Sequence, residues 1–193
     1  MKIKGVAAVR SSSKFVVMTD RLYLREFEPG DARPLFALNS NPDVIRYTGD
    51  TSFLNLSAAE NFLRDYDHYQ NYGFGRWAVV HKRENRFIGY CGLRMDEKTS
   101  DVDLGFRFFT DSWSQGYATE AGRAALEVGF EKFSLERIIG RSMRENRPSI
   151  SVLQKLGMEF SEVREESDLL WLIYSIERSD WQSLTSSPNA TDR

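Results

Sequence analysis

The sequence predicts an α/β protein built on one mixed sheet of about seven strands, with helices on both faces. Three observations carry that prediction. Two-residue alternation marks several short strands, and runs of helical period interleave with them. Some neighbouring strands are joined by short polar turns and so form antiparallel hairpins, while others are separated by helical segments. One stretch, residues 101–132, joins a strand to a long amphipathic helix through a compact Ser-Gln-Gly-Tyr-Ala-Thr turn.

In order, residues 1–18 read as an N-terminal extension, with a serine loop at 11–13 and a short added strand at 15–18. Residues 21–27 alternate, with Leu22, Leu24 and Glu26 on one face, and form the first strand of the domain. Pro29-Gly30-Asp31 is a turn that caps a helix over 32–39, and Asn41-Pro42 begins a further helical turn ending near Gly49. Ser57 with Glu60 makes a capping box for a helix running to Gly73, whose apolar face is Phe62, Tyr66 and Tyr69. Strands at 74–81 and 86–95 follow, joined by the polar turn 82–85. In the strand 102–109, Val102, Leu104, Phe106 and Phe108 alternate with Asp103, Gly105 and Arg107. From Thr119 the period changes. Glu120, Arg123, Glu127 and Glu131 form a polar stripe, Gly122, Leu126, Phe130 and Phe133 an apolar one, and Ala118, Ala121, Ala125 and Val128 a small one. A strand at 137–143, a helix with Pro148 in its first turn and Gly157 as its stop, and a hairpin at 158–163 and 169–176 complete the chain. The organisation expected is a single domain at 19–181 with a flexible tail at 182–193.

Composition excludes several function classes. The chain has 193 residues, of which 41% are apolar and 13% aromatic. That suits one globular domain. A net charge of −2, from 26 basic and 28 acidic residues, argues against a nucleic-acid-binding surface. The single cysteine, Cys91, forbids an intramolecular disulfide, fits a reducing compartment, and lies in an apolar strand where cysteine acts as a small core residue. His68 and His81 read as packing or surface residues, and with Cys91 they make no metal-ligand pattern, so no metal is expected. No apolar run approaches ~20 residues, so no membrane span is expected. The apolar part of the N-terminus is broken by Arg10 and serines, which favours a cytoplasmic protein over an exported one.

The turn at 114–119 carries the chemistry. A glycine-bearing turn entering a helix leaves backbone N–H groups unpaired, and together with the helix dipole they suit a phosphate. Nucleotide binding of the Gly-x-x-x-x-Gly-Lys-Ser/Thr or Gly-x-Gly-x-x-Gly kind is disfavoured, because both motifs are absent.

Four stretches carry a family resemblance: TDRLYLREFEPGDARPLFALNSNPDVIRYTG (19–49), DVDLGFRFFTDSWSQGYATEA (101–121), ERIIGRSMRENRPSISVLQKLGM (136–158) and the closing hairpin through Trp171. Together they resemble the GNAT superfamily of acetyl-CoA-dependent N-acetyltransferases, particularly the branch containing the ribosomal-protein alanine and serine N-terminal acetyltransferases. The resemblance implies a GNAT-like acyl-CoA N-acyltransferase fold whose sheet splays at a cofactor slot, and acetyl transfer from acetyl-CoA to a primary amine by direct attack on the thioester. The family's Gln/Arg-x-x-Gly-x-Gly/Ala signature becomes Trp113-Ser114-Gln115-Gly116-Tyr117-Ala118, so Trp113 departs from the basic or amide position. By resemblance, the backbone of Ser114, Gln115, Gly116, Tyr117 and Ala118, with the Thr119 hydroxyl, would cradle the pyrophosphate. The N–H of Phe106, or of its neighbour Arg107, would meet the acetyl oxygen, and Phe108 would pair with the pantetheine amide. Asn146 would bind the cofactor arm, and Ser149 would protonate the departing sulfur directly or through water. Asp103 would accept the amine's proton through water. Each has a plainer reading: Asn146-x-Pro148-Ser149 is also an ordinary helix entry, and Asp103 also an exposed strand charge.

The acceptor would lie between residues 41–53 and the hairpin tip at 165–168. An α-amine with a pKa near ~8 is about one-tenth neutral at pH 7, whereas a lysine near ~10.4 is below about a thousandth, so deprotonation costs ~1.4 against ~4.6 kcal/mol. This favours an α-amine, and the resemblance to the ribosomal-protein branch implies that of a protein N-terminus. A small-molecule amine, such as a polyamine, amino acid or antibiotic, is the alternative, and a non-catalytic acyl-CoA-binding regulatory module is the rival of another class. A monomer or homodimer is expected, with neither nucleic acid nor membrane as partner.

Overall fold

The chain, described from residue 14 to residue 186 in a computed structural model, builds one eight-stranded sheet. Its strands are β1 (Phe15–Met18), β2 (Leu22–Arg25), β3 (Arg76–His81), β4 (Arg86–Met95), β5 (Val102–Phe108), β6 (Arg137–Met143), β7 (Glu159–Glu166) and β8 (Leu169–Glu177). They lie in the order β1-β2-β3-β4-β5-β6-β8-β7, and every neighbouring pair is antiparallel except β5–β6. The expected mixed sheet is present. It holds eight strands rather than about seven because residues 15–18 pair with β2, Met18 opposite Tyr23.

The parallel pair divides the sheet. β4 and β5 stay in register from Gly89↔Phe108 to Met95↔Val102, and β6 and β8 from Arg137↔Glu177 to Met143↔Trp171. Between β5 and β6 the described register holds one pair, Asp103↔Ile139. Beyond it the two halves part.

Helices α1 (Ala32–Ser40), α2 (Pro42–Ile45), α3 (Leu56–Arg64) and α4 (His68–Tyr72) precede β3, α5 (Tyr117–Glu127) follows β5, α6 (Arg147–Lys155) follows β6, and α7 (Arg178–Ser186) closes the chain. Alternation sends Leu24, Trp77, Val79, Cys91, Leu93, Leu104 and Phe108 to one face of the sheet. There Ala121, Ala125 and Leu126 of α5 and Ile150 and Leu153 of α6 bury them in the main core. The opposite face carries Arg76, Tyr90, Arg94, Asp103 and Arg107, and α1 and α4 pack against it. The stripes read along 118–133 are realised: Ala121, Ala125, Leu126 and Phe130 are fully buried, and Arg123, Glu127 and Glu131 are exposed.

Several boundaries differ from expectation, each for a local reason. The helix expected from Ser57 begins at Leu56, because Asn55 is the cap. Its side chain accepts from the Ala58 amide at 3.0 Å. That helix also does not run on to Gly73. It breaks over residues 65–67 and resumes as α4, which lets Tyr66 and Tyr69 both reach the backbone of Arg76. Helix α5 starts at Tyr117, two residues before Thr119. Helix α7 continues beyond residue 181 to Ser186, anchored by Trp181, which stacks on Phe130 at 5.7 Å. The rest of the expected tail, and residues 1–13 of the expected extension, lie outside the described residues. No helix among the described residues is long and apolar enough to cross a membrane.

Candidate functional site

The turn before α5 is held from three sides. Trp113 donates its indole N–H to the Phe108 carbonyl at 2.8 Å, which folds the turn back on the end of β5. The side-chain amide of Gln115 donates to the Asp111 carbonyl at 2.7 Å. Arg21 donates from Nη1 to the Gln115 carbonyl at 2.9 Å and from Nε to Glu120 at 2.6 Å, and lies 4.5 Å over the Tyr117 ring. Glu120 also accepts from the Thr19 hydroxyl and the Arg21 amide, so it ties the β1–β2 turn to α5. Burial would raise its pKa. These hydrogen bonds outweigh burial and hold it below the ordinary 4.5. Gly116 takes φ +80° and Ser114 φ +58°, and no side chain among the described residues caps the start of α5. The N–H groups of its first turn are therefore available to an anion. Arg21 brings to this turn the positive charge that Trp113 lacks. Sequence reading missed it because nothing local links residue 21 to residue 116.

The gap between β5 and β6 opens beside this turn. The Phe109 amide donates to the Ile88 carbonyl of β4 at 3.1 Å. By strand alternation the amides of Phe108 and Phe106 face the other way, into the gap, and that of Arg107 faces β4. The Arg107 amide is thus turned away from the gap that the Phe106 and Phe108 amides face. The Arg107 side chain pairs with Asp50 at 2.5 Å and with Asn39 on the opposite face of the sheet.

That face holds a cleft of about 620 Å³. It brings together five of the expected site residues, Asp103, Phe106, Arg107, Asn146 and Ser149, while Phe108 and the turn at 114–119 lie outside its lining. Asn146 accepts from the Ser149 amide at 3.3 Å and caps α6, so the helix-entry role and the cleft position coincide. From residues 41–53, where one border of the acceptor was expected, Tyr47, Asp50 and Phe53 line the cleft. From the closing hairpin it is Trp171, rather than the tip, that does so.

Asp103 is not an exposed strand charge. It is 4% exposed and paired with Arg76, a residue the sequence did not single out. The register aligns Arg76 with Gly92 and Gly92 with Gly105. The guanidinium lies across these two glycines, and a Cβ at Gly105 would overlap it. Its Nη1 also donates to the main-chain oxygens of Asp103, at 2.7 Å, and Gly92. Asp103 lines the cleft, and its second carboxylate oxygen, Oδ1, is buried without a hydrogen-bond partner among the described residues. Burial raises the phenols of Tyr66 and Tyr90 above their ordinary value and keeps them neutral.

Other sequence readings resolve here. Cys91 is a core residue, its thiol pushed up to about 12 by burial. His81 packs edge-on to Tyr117. His68 stacks on Tyr66 at 5.2 Å and lines the cleft, its Nε2 buried without a hydrogen-bond partner among the described residues. Among the described residues no group of three or more His, Cys, Asp or Glu is placed to hold a metal ion.

Sequence comparison matches residues 21–159 to the family described as "Acetyltransferase (GNAT) domain". A curated protein named uncharacterized N-acetyltransferase p20, from Bacillus licheniformis, is 31% identical over 143 residues, 73% of this chain and 80% of that one. Two solved structures share the fold. The ribosomal-protein-S5-alanine acetyltransferase from Vibrio fischeri has a TM-score of 0.72 at 16% identity, over 86% of this chain and 97% of that one. The spermidine N-acetyltransferase from Vibrio cholerae, in complex with CoA and spermine, has a TM-score of 0.73 at 19% identity, over 84% of this chain and 99% of that one.

Proposed function

The chain belongs to the GNAT acetyltransferase family, and on that premise we propose that it acetylates a primary α-amine from acetyl-CoA by direct attack on the thioester. The observation that carries the reading is the parting of β5 from β6 after Asp103↔Ile139, with the Phe106 and Phe108 amides facing the gap and the uncapped start of α5 beside it. These features fit the two ends of the donor, an extended amide-bearing arm and a pyrophosphate.

Each group then has a role. The amides of residues 114–119 hold the pyrophosphate, and Arg21 fixes the turn that presents them. The Phe106 amide polarises the thioester carbonyl as a fixed dipole. Asp103 Oδ1, already desolvated and oriented by Arg76, accepts a proton from the attacking nitrogen directly or through water. Asn146 steadies the donor arm, and Ser149 passes a proton to the sulfur, directly or through water, as the bond to the acetyl carbon breaks, and regains one from solvent. Acetyl-CoA supplies the acetyl group. An α-amine suits this machinery because little deprotonation is required of it at neutral pH.

A thiol-release assay over N-terminal peptides, amino acids, polyamines and aminoglycosides tests the reading. With a turned-over amine at saturation, Ser149→Ala is expected to lower kcat by about 100-fold or more while acetyl-CoA affinity by calorimetry is unchanged. An unaltered kcat would remove Ser149 from the mechanism. Tight acetyl-CoA binding without thiol release for any amine would favour the non-catalytic binding module.

A further inference from the structure

Four guanidinium groups line the cleft, those of Arg76, Arg94, Arg107 and Arg141. Three have carboxylate partners: Asp103, Asp50 and Glu166 respectively for Arg76, Arg107 and Arg141. Arg94 is half-buried and has neither an ion pair nor a hydrogen bond among the described residues. In the β4–β5 register it stands directly opposite Asp103, whose Oδ1 is buried and also without a partner. Directly opposed residues of an antiparallel pair have Cα atoms roughly 4.5–5.5 Å apart. The cleft lining therefore holds, on two cross-strand neighbours, a cation and an acceptor oxygen that are both unpaired among the described residues. A ligand that satisfies both carries an N–H donor and an anion a few bonds apart. A planar carboxylate matches the fork of a guanidinium better than any neutral group does. Beside them runs an aromatic wall: Phe53 to Phe62 at 5.7 Å, Phe62 to Tyr66 at 5.5 Å, and Tyr66 to Phe27 at 5.6 Å.

We propose that the acetyl acceptor is an amine that also bears a carboxylate, with the carboxylate on Arg94, the nitrogen at Asp103 Oδ1 and its apolar part on the aromatic wall. This assignment rests on the acetyl-transfer reading above. The competing signal for a polycation is weaker. The side chains of Asp65 and Asp67 lie exposed on the rim, and each already has a partner in Arg64 or Asn71. Solvent screens charges in such positions.

The test is thiol release by the wild-type chain with matched pairs: L-phenylalanine against phenethylamine, a phenylalanyl dipeptide against its C-terminal amide, and spermidine as the polycation. The expected result is kcat/KM at least ~10-fold higher for the carboxylate-bearing member of a pair. Arg94→Gln should bring that ratio close to one through a raised KM, with acetyl-CoA affinity by calorimetry unchanged, and Arg94→Lys should retain part of it. Turnover of phenethylamine, the amide or spermidine equal to or better than that of the carboxylates overturns the assignment and leaves acetyl transfer standing, as does an unchanged ratio in a folded Arg94→Gln protein. If that variant does not fold, the wild-type ratio decides alone. Bound acetyl-CoA with no thiol release for any amine overturns the acetyl-transfer reading, and this assignment with it.

Discussion

Arg76 ties together β3, β4 and β5 beneath the cleft, through Gly92 and Asp103. Burial alone would lower its pKa, but the Asp103 carboxylate heads the causes that outweigh burial and raise it, so it remains a cation inside the protein. The Tyr66 hydroxyl accepts from its amide at 2.6 Å, and the Tyr69 hydroxyl donates to its carbonyl. Both its main chain and its side chain are thus fixed. Removing the cation would leave a desolvated carboxylate without its ion-pair partner, which is the costly way to break a buried pair. Arg76→Met is expected to destabilise the fold by about 3–5 kcal/mol in urea unfolding. Adding Asp103→Leu should recover part of that loss. A double variant that loses the sum of the two single effects would show that the pair is uncoupled.

The decisive element is the strand–turn–helix from β5 to α5. Its strand presents amides to the gap, its helix presents uncapped amides, and the turn between them is pinned by Trp113, Gln115 and Arg21. Gly116 sits exposed in the turn at φ +80°. That is a backbone region which L side chains rarely adopt. Gly116→Trp is therefore expected to distort and cover the anion-binding amides and to lower acetyl-CoA affinity by ~10-fold or more, read by calorimetry. Unchanged affinity would move the pyrophosphate elsewhere. The α3–α4 break shows the opposite relation between sequence and element. A run that looks continuously helical is interrupted so that Tyr66 and Tyr69 reach β3.

At the scale of the molecule, Glu120 joins the β1–β2 turn to α5 through Thr19 and Arg21, and so ties the first strands of the sheet to the proposed donor site. Its folded pKa lies below the ordinary 4.5. Its contribution to stability is therefore complete above the ordinary value and is lost as pH falls through the lower folded value. Glu120→Gln should destabilise the protein by about 1 kcal/mol at neutral pH. The gap from wild type should close on acidification below 4.5, measured by urea midpoints across pH. A gap independent of pH would mean that the carboxylate's charge is not what Thr19 and Arg21 recognise. What the sequence by itself determined was local. The alternation of Val102 to Phe108, the stripes of α5, the entry of α6 at Pro148 and the glycine turn each depend on residues a few positions apart, so period and spacing reveal them. The splayed pair came from family resemblance and not from any residue pattern. Only the tertiary structure decided that Arg76 crosses two glycines to Asp103, that Arg21 supplies the turn's charge, and that Arg94 faces the cleft without a partner among the described residues. Each of these depends on sheet order and register, which bring together residues distant in the chain, and no local periodicity encodes that meeting.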